Sequence, residues 1–278
     1  MKWSLHPVIL GGSLSFEDRL AIARDAGYDG MDVDIGALAA MVEQQGLDAV
    51  RATFDHYGVA PAGSGLPTNW RGSDEDFLES LKALPALAKV MADIGCPRTF
   101  TYFGPSTDGD PAEYRRFLVG RFRAIGEVLA DYGVRMGIEW LGPRHIRAHG
   151  TPVVWKMGQT LDLIAGTGLD NLGLLFDVWH WFNAEDTLDE LRALRPEQIV
   201  HGHFNDAPDK PLDDQLDSQR EVPGKGIIPL VDVLRALKQI GYADYLAVEI
   251  FNQDLTAMPP LESARLVKQA CDALMAQV

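Results

Sequence analysis

Cysteine is scarce in this chain, and long hydrophobic runs are missing. Its 278 residues include two cysteines, Cys96 and Cys271, which are far apart in the sequence. Two unclustered thiols supply neither a disulfide framework nor a cysteine-based zinc module, and they fit a reducing compartment. No apolar stretch approaches the roughly 20 residues of a membrane span, and the N-terminus lacks a secretory signal pattern. The sequence predicts a cytoplasmic protein without a membrane partner.

Positive charge is also in short supply. The chain carries 25 basic against 40 acidic residues, a formal net charge of −15. Because such an excess repels phosphate backbones, nucleic acid is disfavoured as a partner. Hydrophobic residues make up 46% of the sequence, enough for a substantial core. No low-complexity linker divides the chain, so we predict one domain over residues 1–278.

Short apolar or β-branched runs alternate with longer amphipathic segments. The predicted strands are residues 7–11, 30–35, 59–64, 98–103, 135–140, 171–177, 199–204 and 245–250. The predicted helices are residues 15–27, 37–57, 74–95, 111–132, 156–166, 186–195, 229–240 and 260–276. Regular strand–helix alternation favours a parallel sheet. Eight such pairs in this length predict a single closed (β/α)₈ TIM barrel, an α/β fold.

Four residues that can bind a metal each end a strand-like run: Glu139, Asp177, His203 and Glu249. They would belong to strands five to eight, whose C-terminal ends meet at one barrel mouth with neighbours about 4.8 Å apart. An oxygen-rich set with one imidazole suits Mn²⁺, Mg²⁺ or Co²⁺, with Zn²⁺ as a further option. The alternative is that each is an isolated polar residue at a strand end.

Two further side chains are candidates for substrate contact. His180 follows Asp177 by three residues, so it would approach the same mouth or pack in an aromatic cluster. Arg220 lies in the irregular stretch 206–229 after strand seven. Its guanidinium stays charged and presents several donors, which suits a substrate oxygen or an enolate.

Three other residues near strand ends have open roles. Asp206 would either orient a ligand or substrate, or only begin the long loop. Trp140 and Trp179 would offer flat aromatic faces to a sugar ring, although packing is an equal alternative.

Five segments together resemble a known family. They are residues 138–139, 174–180, 201–206, 220–226 and 248–249, which include the patterns Asp-x-x-His and Arg-x-Val-Pro-Gly-x-Gly. This set is similar to the xylose isomerase-like TIM barrels, a group that includes ketose 3-epimerases, inosose dehydratases and family-2 AP endonucleases.

The resemblance implies roles for these residues. Glu139, Asp177, His203 and Glu249 would be metal ligands, and the two glutamates would double as an acid–base pair. One glutamate would remove the proton next to a ketone to give an enediolate, and the other would return a proton. The implied function is a metal-dependent isomerase or epimerase of a keto-sugar or related polyol ketone.

The chain departs from two members of this group. Residues 63–65 and 102–104 contain none of the additional zinc-binding histidines of family-2 AP endonucleases, which disfavours DNA repair. The strand-five glutamate is followed by Trp-Leu-Gly-Pro instead of the Pro-Leu-Asn-Arg-like run of ketose 3-epimerases, which leaves the substrate open.

Two alternatives remain beside the isomerase. A lyase of the same fold, such as a dehydratase, would need a further proton donor, for which His145 or His149 is available. A binding barrel without catalysis is the third option. Barrels of this type often pair, so a homo-oligomer also stays open.

Overall fold

Eight parallel strands close into a barrel in the computed structural model, which describes residues 1–278. In chain order the strands are β1 (Lys2–Leu5), β2 (Gly30–Val33), β3 (Ala60–Gly65), β4 (Arg98–Tyr102), β5 (Arg135–Glu139), β6 (Leu172–Asp177), β7 (Ile199–His203) and β8 (Tyr245–Val248). Each pairs with its chain neighbours, and β8 pairs with β1 to close the ring. The predicted (β/α)₈ barrel is confirmed.

Helices surround the barrel. They are α1 (Phe16–Ala26), α2 (Ile35–Gln45), α3 (Leu47–Tyr57), α4 (Asp74–Ile94), α5 (Pro111–Ala130), α6 (Arg144–Arg147), α7 (Met157–Ala165), α8 (Val178–Asn183), α9 (Leu188–Arg192), α10 (Leu230–Gln239), α11 (Gln253–Ala257) and α12 (Pro260–Met275). None of them combines the length and the apolar content that crossing a bilayer requires. A two-stranded antiparallel ribbon, Ser106–Thr107 with Thr151–Pro152, lies outside the barrel.

The predicted first strand, residues 7–11, is wrong. That segment begins with a 3₁₀ turn, Pro7–Ile9, and β1 lies upstream at Lys2–Leu5. Pro7 has no backbone N–H to give to a ladder, whereas Lys2–Leu5 pair residue by residue with Tyr245–Val248. The other seven predicted strands are confirmed to within two residues at each end.

Two predicted helices are also corrected. The helix expected over residues 37–57 is two helices, because Gly46 between them has φ 89° and ψ 154°. Such a positive φ suits glycine and interrupts a helix. The helix expected over residues 186–195 is the shorter α9, and a separate short helix, α8, directly follows β6.

The apolar residues form a continuous core of 62 buried side chains. Strand β6 is buried along its whole length, and β7 likewise, as expected for parallel strands covered on both faces. Polar residues at the C-terminal ends of these strands are therefore set in a largely apolar surrounding, which is where the candidate site lies.

Candidate metal centre and active site

The structure brings the four predicted ligands together at the barrel mouth. Glu139, Asp177 and His203 are the last residues of β5, β6 and β7, and Glu249 directly follows β8. His203 Nδ1 lies 3.7 Å from Glu139 Oε1, 3.7 Å from Asp177 Oδ2 and 3.1 Å from Glu249 Oε2. All four side chains are buried or nearly so, with Glu249 the most exposed at 13%.

These polar atoms converge without satisfying one another. Glu139 Oε1 and His203 Nδ1 are buried and have no hydrogen-bond partner. Leaving buried polar atoms unpaired is costly, and burying charged ones is more so. A cation held by three carboxylates and one imidazole nitrogen would supply the missing interactions. The donor set therefore fits a divalent ion.

Arg220 is the positive charge that this centre already contains. Its guanidinium is 1% exposed and donates through Nη1 to Asp177 Oδ2 at 2.8 Å and Glu249 Oε2 at 3.0 Å, and through Nε to Asp217 Oδ1 at 2.7 Å. Burial alone would lower the pKa of Arg220, but the three carboxylates raise it above its ordinary value. The guanidinium stays charged, and two of the carboxylates would serve both it and a metal ion.

The two glutamates differ in their surroundings. Burial holds the pKa of Glu139 above its ordinary value, although His203 opposes the shift. Burial also works to raise the pKa of Glu249, but His203 and Arg220 hold that pKa well below its usual range. Two carboxyl groups whose pKa values are shifted in opposite directions are a common arrangement for acid–base chemistry.

His180 combines the two locations that the sequence left open, since it lies at the same mouth and its ring packs against that of Trp179 at 5.3 Å. It is buried on α8, and its Nε2 is 3.5 Å from Arg220 Nη2. A ligand atom of His180 also lies within 4.8 Å of carboxylate oxygens of Glu139 and Asp177. His180 thus lies at the mouth between Arg220 and the carboxylates of Glu139 and Asp177.

Trp140 and Trp179 are close to the centre but fully buried. Trp140 packs against Phe176 with ring centroids 6.2 Å apart, and Trp179 packs between His180 and the Arg220 guanidinium. Both rings have 0% exposure. Neither ring has an exposed face on which a sugar could stack. Both tryptophans are instead packed against neighbouring side chains, the alternative that the sequence left open.

Asp206 holds the long loop after β7 in place. Its Oδ1 accepts hydrogen bonds from the backbone N–H groups of Ala207 and Ile228, and its Oδ2 accepts from those of Gly224 and Gly226, all at 2.9–3.0 Å. Of the two roles that the sequence left open, the structure supports the loop role. Through that loop Asp206 helps to position Arg220.

Sequence reasoning missed Asp32, which lies on β2 below the centre. Its Oδ1 accepts from Ser4 Oγ at 3.0 Å, and its Oδ2 is 3.1 Å from His201 Nε2 and 4.0 Å from His203 Nε2. The imidazole of His201 stacks on Phe100 at 5.0 Å. A carboxylate behind a ligating histidine commonly fixes the orientation of its ring.

His6 was missed because β1 was placed too late in the sequence. With β1 at Lys2–Leu5, His6 directly follows a strand end, as Glu249 does. Its Nε2 lies 3.6 Å from Glu249 Oε1, and its ring is 5.6 Å from that of His203. His6 therefore belongs to the same mouth.

The sequence pattern of the xylose isomerase-like TIM barrel family matches residues 20–277. The chain belongs to this family. Among curated relatives, an inosose isomerase of Bacillus velezensis is 28% identical over 153 residues, which is 55% of this chain and 52% of the relative. The chain thus spans about half the length of that relative.

A second relative carries a different reaction in its name. The 3-dehydroshikimate dehydratase of Pseudomonas putida is 25% identical over 272 residues, covering 95% of this chain and 40% of the relative. The named relatives of this chain therefore include both isomerases and dehydratases.

Two solved structures share the fold over the whole chain. A xylose isomerase domain protein from Alicyclobacillus acidocaldarius is 34% identical, with a TM-score of 0.92 and coverage of 100% of this chain and 99% of that one. The IOLI protein, solved with a bound zinc atom, is 20% identical with a TM-score of 0.83 and the same coverage.

Proposed function

We propose that this protein is a divalent-metal-dependent isomerase or epimerase that acts on a keto-sugar or related polyol ketone through an enediolate. The observation that carries the proposal is the convergence of three carboxylates and one imidazole at the mouth, with three of their atoms, Glu139 Oε1 and both ring nitrogens of His203, buried and unpaired. The names of the relatives favour the same class.

Glu139, Asp177 and Glu249, whose carboxylate oxygens lie 3.1–3.7 Å from His203 Nδ1, would hold the ion together with His203. When bound, a divalent cation there would act as a Lewis acid that stabilises negative charge on the substrate oxygen. The donors suit Mn²⁺, Mg²⁺ or Co²⁺, and the zinc in the IOLI protein makes Zn²⁺ a further candidate.

Glu139 and Glu249 would carry out the two proton transfers. Glu139 and Glu249 come from β5 and β8, so they reach the centre from different strands and can face one carbon from two sides. One removes the proton next to the ketone and the other returns a proton. His180 and Arg220 would donate to the substrate's oxygens, and the charged guanidinium favours an anionic intermediate.

Hydrogen exchange tests this proposal directly. The protein, loaded in turn with Mn²⁺, Mg²⁺, Co²⁺ and Zn²⁺, is incubated with a panel of ketoses in D₂O, and deuterium next to the ketone is followed by NMR. Glu139→Gln and Glu249→Gln should each lower exchange by about 100-fold or more. Glu127→Gln, an exposed position on α5, is the matched control and should leave exchange unchanged. Exchange at the full rate in both site variants would refute the acid–base pair.

A dehydratase is the second candidate, because one relative is named for that reaction. The structure places His149 on the exposed surface and His145 on α6, whereas His6 lies 3.6 Å from Glu249 Oε1. His6 is therefore a better candidate for the extra proton donor than the two histidines expected from the sequence. Loss of water from a candidate substrate, detected by mass spectrometry and abolished in His6→Asn, would favour elimination over epimerisation.

A further inference from the structure

The two ring nitrogens of His203 face different groups. Nδ1 lies 3.1 Å from Glu249 Oε2 and 3.7 Å from both Glu139 Oε1 and Asp177 Oδ2. Nε2 is turned toward β2, where Asp32 Oδ2 lies 4.0 Å from it. Both nitrogens are buried, and neither has a hydrogen-bond partner. The imidazole therefore lies between the proposed metal centre and a carboxylate behind it.

Asp32 is fixed by two other groups deep in the barrel. It is 4% exposed, its Oδ1 accepts a hydrogen bond from Ser4 Oγ at 3.0 Å, and its Oδ2 lies 3.1 Å from His201 Nε2. An ionised carboxylate accepts hydrogen bonds and donates none, so the nitrogen of His201 that faces it carries a proton. Each carboxylate oxygen has two lone pairs. Oδ2 can therefore accept from a second imidazole as well.

Aromatic packing holds the two imidazoles in this arrangement. Phe100 stacks on the ring of His201 at an angle of 4° with centroids 5.0 Å apart, and it meets the ring of His203 edge-on at 5.3 Å. Gly63 on β3 leaves room for this layer, because a Cβ there would lie 2.9 Å from Cε1 of Phe100 and 3.3 Å from Cε1 of His201. Packing at this density restricts the rotation of rings. Nε2 of His203 is thereby kept on the side of Asp32.

The position of the ring proton decides whether His203 can bind a metal ion. A neutral imidazole has one N–H group and one lone pair, and only the nitrogen with the lone pair can be a ligand. The three carboxylates near Nδ1 attract the proton to that nitrogen, which would block it. Asp32 attracts the proton to Nε2 instead. With the proton there, the lone pair of Nδ1 points at the carboxylates that would hold the ion.

The same reasoning argues against a second ion behind the first. Ligand atoms of His6, Asp32 and His203 lie within 4.8 Å of one another, as they would around a cation. However, His6 Nδ1 accepts a hydrogen bond from the N–H of Val8 at 3.2 Å, so the proton of its neutral ring is on Nε2, which faces Glu249. An imidazole that served two ions would also have to lose both ring protons. These three groups suit hydrogen bonding better than cation binding.

We propose that Asp32 is a positioning residue of the metal centre, an inference that rests on the proposed function. It keeps the proton of His203 on Nε2, so that Nδ1 is free to bind the ion. Substituting a carboxylate in this relation to a ligating histidine typically weakens metal binding by about 10–100-fold. Asp32 therefore sets how tightly the centre holds its ion, although it is not itself a ligand.

Calorimetric titration of the metal-free chain with Zn²⁺, with a chelator as competitor, tests this role. Asp32→Asn keeps the size of the side chain and an acceptor for Ser4. Its amide, unlike a carboxylate, can also donate to Nε2 of His203, so it no longer favours the proton on that nitrogen. The unaltered protein should bind one ion, and Asp32→Asn should bind it about 10–100-fold more weakly.

Ser4→Ala is the matched control. It removes a buried hydrogen bond of the same carboxylate, but from Oδ1 and not from the oxygen that faces the imidazoles. Its affinity for Zn²⁺ should equal that of the unaltered protein. Urea unfolding in EDTA establishes that both variants fold.

NMR of ¹⁵N-labelled histidine rings tests the tautomer without any substitution. In the unaltered protein loaded with Zn²⁺, which is diamagnetic, His203 should carry its proton on Nε2 and bind the ion through Nδ1. A proton on Nδ1, or an ion bound through Nε2, would overturn the inference. This measurement decides the matter even if Asp32→Asn does not fold.

Equal Zn²⁺ affinity of Asp32→Asn and the unaltered protein, or an equal loss in Ser4→Ala, would also overturn the positioning role. Deuterium exchange into the ketose panel separates this role from the proposed function. Zn²⁺ binding that depends on Asp32, without exchange into any ketose, supports the positioning role and counts against the isomerase. Exchange that Glu139→Gln abolishes, with no effect of Asp32→Asn on Zn²⁺ affinity, supports the isomerase and overturns the positioning role.

Discussion

Asp186 shows how a single buried carboxyl group can link this fold to pH. It lies between α8 and α9, is 7% exposed, and accepts one hydrogen bond, from the N–H of Met157 at the start of α7. Its Oδ1 has no partner. Burial raises the pKa of Asp186 to about 6, and the bond from Met157 only partly offsets that shift. Between about pH 4 and 6, Asp186 therefore holds a proton in the folded state that it has already released in the unfolded state.

The first prediction concerns this group. Because the folded-state pKa lies above the unfolded one, the contribution of Asp186 to stability is lost as pH rises between about 4 and 6. Asp186→Asn removes the titration, so the stability of the variant relative to the unaltered protein should rise across that window by about 2 kcal/mol. Urea unfolding at several pH values measures this difference.

Asp189→Asn serves as its control, since Asp189 lies on neighbouring α9 with its side chain 92% exposed. The rise expected of Asp186→Asn between about pH 4 and 6 should be absent from this control variant. A flat difference for Asp186→Asn as well would show that its carboxyl group titrates alike in both states.

At the level of elements, the segment after β5 passes in contact with α8, the short helix that carries His180. Gly142 permits this approach, because a Cβ at that position would lie 2.2 Å from the carbonyl oxygen of His180 and 2.6 Å from the backbone nitrogen of Ala184. Backbone atoms cannot rotate away as the end of a side chain can. The two elements would have to separate to accept any side chain.

Substitution of two glycines by alanine should therefore have opposite effects. Gly142→Ala should lower the free energy of unfolding by about 2 kcal/mol, as is usual for overpacking. Gly120→Ala, at an exposed position of α5 where a Cβ meets nothing within 4 Å, should raise it by about 0.5–1 kcal/mol through helix propensity. Denaturant unfolding of both variants measures the pair, and a stabilised Gly142→Ala would contradict the tight approach.

The elements also show what the sequence could and could not predict. Glu139, Asp177 and His203 each end a short strand-like run, so their positions at strand ends followed from the local pattern. Strand β1 has four residues and depends on pairing with Tyr245–Val248 at the other end of the chain, which no local pattern reveals. Because β1 was predicted at the wrong position, the location of His6 directly after a strand end was not recognised.

Long-range contacts account for the other omissions. Asp32 became relevant only because barrel closure brings Ser4, His201 and His203 around it from distant parts of the chain. Burial of Trp140 likewise involves its contact with Phe176, and burial of Trp179 involves the guanidinium of Arg220, 41 residues away in the sequence. Such contacts depend on how distant segments pack together, and hydrophobic periodicity gives no information about them.

For the whole molecule, the net charge of −15 and the proposed centre make separate predictions about cations. An ion that binds only the folded state stabilises the entire barrel, by about 2.7 kcal/mol at 100 times its dissociation constant. An acidic surface, by contrast, is stabilised by any cation, because the cation screens the repulsion between carboxylates. That stabilisation should not depend on which single carboxylate is substituted. The two effects can be separated by substituting one proposed metal ligand and, for comparison, one nearby carboxylate that is not a ligand.

Asp177 and Asp217 provide that comparison, because both contact Arg220 but only Asp177 belongs to the proposed donor set. Urea unfolding in EDTA and in Mn²⁺ should show a metal-dependent gain for the unaltered protein and for Asp217→Asn. Asp177→Asn should lose that gain while remaining folded in EDTA, because asparagine can still accept the N–H of Trp179 at the start of α8. If Asp177→Asn gained as much from Mn²⁺ as Asp217→Asn does, the stabilisation would come from the acidic surface, and the four strand-end residues would not form a metal centre.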